Sequence, residues 1–266
     1  MHRLSLKPAL ASALAVLLFT ACGEDEINNA DDHEFFAEEP LSFSIGLEAQ
    51  TEFVLEAING SVEVTGDQHA SSISVSGVRR VVSDSQEDAD AHLPLLGVIV
   101  DSSSVTEAVV LTDQPAHAEG RDYIVNCVIA VPQDLAIKVG NINGNITVES
   151  IEADAVIESI NGRIFATDIE GNAAMTVING QISASVTLPP GGELDVGVTN
   201  GLIDLQLPQD TSAEFSATVV NGSVSVTGLS LSDQSTTPQS MTGTLGSGDG
   251  TIIVHAVNGT IVVRGL

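Results

Sequence analysis

Apolar residues fall at every second position on both sides of a repeated Asn-Gly pair. Seven such pairs begin at Asn59, Asn143, Asn161, Asn179, Asn200, Asn221 and Asn258. Six positions before each Asn stand Phe53, Ile137, Ala155, Ala173, Leu194, Phe215 and Ile252. Four before stand Leu55, Val139, Ile157, Met175, Val196, Ala217 and Val254. The alternation resumes beyond the pair. Three after each Asn stand Val62, Ile146, Ile164, Ile182, Ile203, Val224 and Ile261, and five after stand Val or a similar small apolar residue. A period of two marks one buried strand face. Each unit therefore reads as strand, Asn-Gly corner, strand.

Two folds can use such a unit. Asn-Gly is the strongest short-range hairpin signal, because both residues tolerate positive φ. Taken alone it predicts an antiparallel meander or sandwich. The spacing argues otherwise. Asn143, Asn161 and Asn179 are 18 residues apart, and Asn200 and Asn221 each follow after 21. Hairpins need no common period, whereas a solenoid does. The pattern favours an all-β fold, a single-stranded parallel β-helix (β-solenoid), with right-handed winding expected. The corners would then be Asn59-Gly60, Asn143-Gly144, Asn161-Gly162, Asn179-Gly180, Asn200-Gly201, Asn221-Gly222 and Asn258-Gly259. Stacked at strand spacing, their Asn amides can hydrogen-bond along the stack. The three extra residues of the longer units fit Pro-bearing loops at 188–192 and 207–210.

The first half is less regular. Segments 72–76, 95–101, 108–112 and 123–131 read as strands, and the acidic stretch 83–92 as a loop or short helical turn. The Ser/Thr-rich stretch 229–242 reads as a loop interrupting the repeat before its last unit. The chain ends directly after a strand with no polar cap, which leaves end-to-end stacking of copies open.

The N-terminus carries a different pattern. His2, Arg3 and Lys7 precede an apolar run from Ala9 to Phe19, followed by Thr20, Ala21, Cys22 and Gly23. A basic start, a short apolar run and small residues at a cut site make a secretory signal. Phe19-Thr20-Ala21-Cys22 resembles a bacterial lipobox, which implies cleavage before Cys22 and a diacylglycerol thioether on its sulfur. Gly23, rather than Asp, resembles the pattern for export to the outer membrane. The expected organisation is a lipoprotein signal peptide over 1–21, an acidic flexible tether over 22–40 and the solenoid over 41–266.

Charge narrows the partners. The chain has 36 Asp and Glu against 8 Lys and Arg, and a formal net charge of −28. Such a surface repels nucleic acid and suits a saline medium or divalent cations. With 3% aromatics and no Trp, the core must be built from Val, Ile, Leu and Ala. Chemistry is sparse. No acidic pair repeats in the outward columns, and Arg163 is alone in its column. His33, His69, His92, His117 and His255 lack metal-ligand spacing. Cys127 has no cationic neighbour in its segment and reads as a small buried hydrophobe. Arg79-Arg80 reads as a solvated pair or as the partner of acidic residues. Stacked Asn amides can recognise sugars, but the corners need Asn and Gly for backbone reasons. No catalytic residue, cofactor or metal is expected.

A strand ending in Val131-Pro132, a run of Asn-Gly-x-Ile/Val units, a Leu-Pro before another unit and a final short Asn-Gly unit resemble the uncharacterised bacterial putative-adhesin family, related to head-GIN-domain proteins. The resemblance spans roughly residues 45–266. It implies a β-helical fold in a secreted or membrane-attached protein, and it carries no catalytic residues. The resulting expectation is a non-enzymatic, lipid-anchored cell-envelope module, bound to the membrane through Cys22 and to an unknown envelope or surface ligand. The rivals are a polysaccharide-active enzyme on a β-helix and a self-assembling envelope scaffold.

Overall fold

Alternating burial on both sides of each Asn-Gly pair builds the strands of the stack. The computed structural model describes residues 35–266. In chain order, β1 (Phe35–Gly46), β2 (Glu52–Asn59), β3 (Val62–Asp67) and β4 (Ser72–Ser83) come first. The short helix α1 (Gln86–His92) follows, then β5 (Gly97–Asp101), β6 (Glu107–Asp113) and β7 (Asp122–Pro132). The regular repeats run as β8 (Ala136–Asn143), β9 (Ile146–Ile151), β10 (Ala155–Ile169), β11 (Ala173–Val186), β12 (Glu193–Leu207) and β13 (Ala213–Thr227). Last come β14 (Leu231–Thr237), β15 (Ser240–Leu245) and β16 (Gly250–Gly265).

Each repeat bends at its Asn-Gly pair into two limbs, so the stack has two walls. The first-limb wall runs β5-β6-β2-β8-β10-β11-β12-β16-β13-β15-β14. The second-limb wall runs β1-β4-β7-β3-β9-β10-β11-β12-β16-β13. The repeats pair in parallel and in register, Asn to Asn and Gly to Gly. This is the solenoid, and the meander is excluded for the repeats. Antiparallel pairing is confined to the two ends: β1-β4-β7 and β5-β6 at one, β13-β15-β14 at the other.

The core lies between the walls. The columns six, four and two residues before each Asn are all buried, as are those three and five after in every repeat but one. Packing of this kind contributes about 0.8 kcal/mol per buried methylene. The exception is Val224 and Val226 in β13, which are only partly buried. Ile151, Ile169, Val186 and Leu207 close the rungs on the side away from the corner.

Three expectations are corrected. First, ordered structure begins before residue 41: Phe35–Pro40 of the expected tether pair with β4, because Glu38 and Glu39 meet Arg80 and Arg79 there. Second, the stretch 229–242 is mostly strand rather than loop; it belongs to the β14–β15 hairpin laid antiparallel on β13. Third, the C-terminal strand is not the end of the stack. β16 lies between β12 and β13, hydrogen-bonded to both. The hairpin insertion returns the chain one rung back. Cys22 and the leader lie outside the described residues.

Candidate functional surface

The corners are held by two columns of atoms. Asn143 Nδ2 donates to Asn59 Oδ1 (2.7 Å), Asn161 to Asn143 (2.9 Å) and Asn179 to Asn161 (3.0 Å). The ladder continues from Asn200 to Asn179 (2.9 Å), Asn258 to Asn200 (2.8 Å) and Asn221 to Asn258 (2.9 Å). All seven amides therefore point their donors the same way, and Asn59 passes the last one to the Tyr123 carbonyl (3.1 Å). Within the corners only glycines take positive φ, and six of the seven do, from +123° at Gly60 to +154° at Gly162 and Gly180; Gly259 is the exception. None of the seven Asn residues is left-handed, so these are not hairpin turns. The requirement for glycine is also one of space. A Cβ on Gly144 would lie 2.0 Å from the Gly60 carbonyl oxygen, and one on Gly180 would lie 1.7 Å from that of Gly162. The Asn-Gly motif is thus a device for stacking corners at strand distance.

Residues on the outer side of the walls are free for other work. The residue just before each Asn faces outward. In stack order this column reads Ile58, Ile142, Ile160, Ile178, Thr199, Val257 and Val220. Ile160, in mid-stack, is only 5% exposed although it faces out, while Val257 and Val220 at the end are 41% and 66% exposed. This apolar stripe was legible in the sequence as Ile-Asn-Gly, yet inward columns drew the reading. On the outer side of the second wall, Arg264 pairs with Asp204 on the neighbouring strand.

The ionisable residues singled out from the sequence do not converge. Arg79 and Arg80 are held by Glu39 (2.5 Å) and Glu38 (2.5 Å), and Arg80 lies over the Phe36 ring at 4.6 Å. Arg121 grips Asp88 through Nε (2.6 Å) and Nη2 (2.9 Å). That guanidinium, with the Ser83 hydroxyl, holds the Asp88 carboxyl well below the usual carboxylate range. His255 Nδ1 sits 3.3 Å from Asp195, whose hydrogen bond raises the imidazole pKa. The His255 ring lies over Gly197 on the next strand, where any side chain would collide with it. Burial pushes the Cys127 thiol up to about 11, which leaves it an inert core group. His92 is 2.8 Å from the Asp88 carbonyl, and His69 lies in the turn after β3. Among the described residues no group of three or more His, Cys, Asp or Glu side chains is placed to hold a metal.

Two concave regions lie on the edges of the rungs. One, of about 520 Å³, is open and polar, between Thr65, Asp67, Gln68, Gln133, Ser150 and Glu152. The other, of about 180 Å³, lies between the Pro loops, with Leu188, Pro189, Pro208, Asp210 and Asp249 around it. Asp249 is held below the usual range by the Ser247 and Ser212 hydroxyls. Arg163 lines neither.

The profile of the Toastrack DUF4097 family matches residues 63–264. This chain belongs to that family. The match runs from β3 into β16 and leaves the leader, β1, β2 and the Asn59-Gly60 corner outside it. Comparison with curated proteins finds no match. Among solved structures, a putative cell adhesion protein from Clostridium sporogenes is similar at 10% identity, over 86% of this chain and 100% of that one, with a TM-score of 0.42. A putative adhesin from Bacteroides fragilis is similar at 10% identity, over 86% and 97%, with a TM-score of 0.32. At these values neither carries a role across to this Toastrack protein.

Proposed function

We propose that this Toastrack protein is a non-enzymatic, lipid-anchored module of the cell envelope that binds an envelope or surface ligand along the outside of its solenoid. The observation that carries this reading is the apolar stripe from Ile58 to Val220 on the outer face of the first wall. The stripe is buried or half-buried along most of its length and opens to solvent at Val257 and Val220, where exposed apolar side chains offer a contact for a ligand. Here it is presented on a stack whose corners are fixed by the Asn ladder, so little entropy is lost when a ligand aligns with it. The lipobox at Cys22 supports attachment to the membrane.

The test has two parts. An epitope tag after Leu266 is stained on intact and on permeabilised cells, and Cys22→Ser is followed by membrane fractionation. The expected result is a membrane-bound protein released by Cys22→Ser. Staining of intact cells supports surface adhesion. Staining only after permeabilisation removes the adhesin reading and leaves a periplasmic binding role. Retention of Cys22→Ser on membranes overturns the lipid anchor.

A further inference from the structure

The last rung of the stack differs from the others in three ways. Its inner residues Val224 and Val226 are partly exposed, whereas their counterparts in all other repeats are buried. Its second limb, Ser223 to Thr227, has β16 on one side and, among the described residues, no strand on the other. This limb also carries no charged residue. Between Glu214 and Asp249 the sole charged residue is Asp233, in a chain with a net charge of −28.

The other sheet edges are guarded. β1 carries Glu38, Glu39 and Pro40, and proline removes a donor from that edge. β14 is broken by a register shift around Asp233, whose φ is +49°. β5 is short, ends in Asp101 and lies on a neighbour bounded by Glu107 and Asp113. The edge of β13 has no charge, proline or bulge in Ser223-Val224-Ser225-Val226-Thr227. Part of it is covered: Val224 N–H donates to the Pro238 carbonyl (3.3 Å) at the tip of the hairpin. Backbone groups alternate sides along a strand, so Val226 directs its N–H and C=O to the same open side, past the hairpin.

We propose that this edge is a homotypic interface, where the β13 strands of two copies pair antiparallel about a twofold axis near Val226. Val226 N–H would donate to the partner's Val226 carbonyl and accept the reciprocal bond. The two open core ends, each with Val224 and Val226, would cover one another. Charge selects the occupant. Two strongly acidic molecules repel over most of their surfaces, and this uncharged limb is where they can approach. It also selects the symmetry. The opposite end of the stack is antiparallel and acidic, so head-to-tail stacking into a filament is disfavoured and a closed dimer remains.

The experiment places one cysteine on the outer face of the full-length chain and treats membranes with a short bis-maleimide. Ser225→Cys puts it on the edge. Ser183→Cys puts it in the same outer column three rungs away. The expected result is a covalent dimer of twice the chain mass for Ser225→Cys and none for Ser183→Cys. Adding Thr227→Glu to Ser225→Cys places two carboxylates across the axis and should abolish the dimer. Absence of a dimer with Ser225→Cys, equal dimer with Ser183→Cys, persistence in the Thr227→Glu pair, or products of mixed mass from other proteins would each overturn the proposal.

Discussion

At the scale of single residues, each corner has two requirements that only Asn followed by Gly meets. The Asn side chain must both donate and accept along the stack, and the glycine must leave room for the carbonyl of the rung below. Replacing Gly144 by Ala combines positive φ (+131°) with a Cβ 2.0 Å from the Gly60 oxygen, and should cost more than about 3 kcal/mol in chemical unfolding. Gly120→Ala is the control. Its φ is +80° but nothing lies within 4 Å, so strain alone, about 1 kcal/mol, is expected. The same packing governs chemical ageing. Asn-Gly deamidates when the glycine nitrogen attacks the Asn Cγ, a succinimide closes and ammonia leaves. Within the stack the glycine N–H is engaged, as Gly60 is by the Asn143 carbonyl (3.0 Å) and Gly144 by that of Asn161 (2.9 Å). Gly222 is in the last rung, with no further strand among the described residues to receive it, and it is exposed where the other six corner glycines are partly covered. Peptide mapping after incubation at mildly alkaline pH should therefore find deamidation first at Asn221. Equal rates at all seven pairs would contradict the ladder, and denatured protein supplies that comparison.

At the scale of elements, the repeats were legible because burial on two walls imposes period two, and a fixed corner imposes a fixed interval. The 18-residue spacing outweighed the hairpin preference of Asn-Gly for this reason. What could not be read were partners far apart in sequence. Glu38 and Glu39 look like tether until Arg79 and Arg80, 40 or more residues on, are placed beside them. Apart from Leu231, Met241 and Leu245 the hairpin β14–β15 is Ser/Thr-rich and polar, too few apolar positions for the alternation by which strands are recognised. Helix α1 illustrates a local rule serving a distant contact. Ser85 caps it through Asp88 N–H, while the Asp88 side chain reaches Arg121 across the fold. Because Arg121 lowers the Asp88 pKa, this pair contributes stability above the unfolded value of about 4 and loses it as pH falls through the folded value. Asp88→Asn should unfold more easily than the parent at pH 7, with the gap closing on acidification. A gap that stays constant with pH in thermal melts would contradict this.

At the scale of the whole molecule, the chain does not stack its rungs in the order it makes them. The sequence suggested that Asn258 begins the last rung, since nothing local marks a return. The return depends on a hairpin that occupies the outer side of β13's first limb and on a C-terminal strand whose apolar columns match β12 as well as they match β13. This ordering buries β16, frees the uncharged second limb of β13 as an edge and carries the stripe of outward apolar residues to Val220. The surface available to ligands and to a second copy therefore follows from it. It is tested most directly by paired cysteines in the outer column two residues after each Asn. Leu202 is in register with Thr260, and Thr260 with Ser223. Adjacent strands are about 4.8 Å apart, within reach of a disulfide, and strands two apart are not. Under mild oxidation, Leu202→Cys with Thr260→Cys should close a disulfide within one chain, and Leu202→Cys with Ser223→Cys should not. Closure of the second pair and failure of the first would show rungs stacked in sequence order and contradict the fold described here.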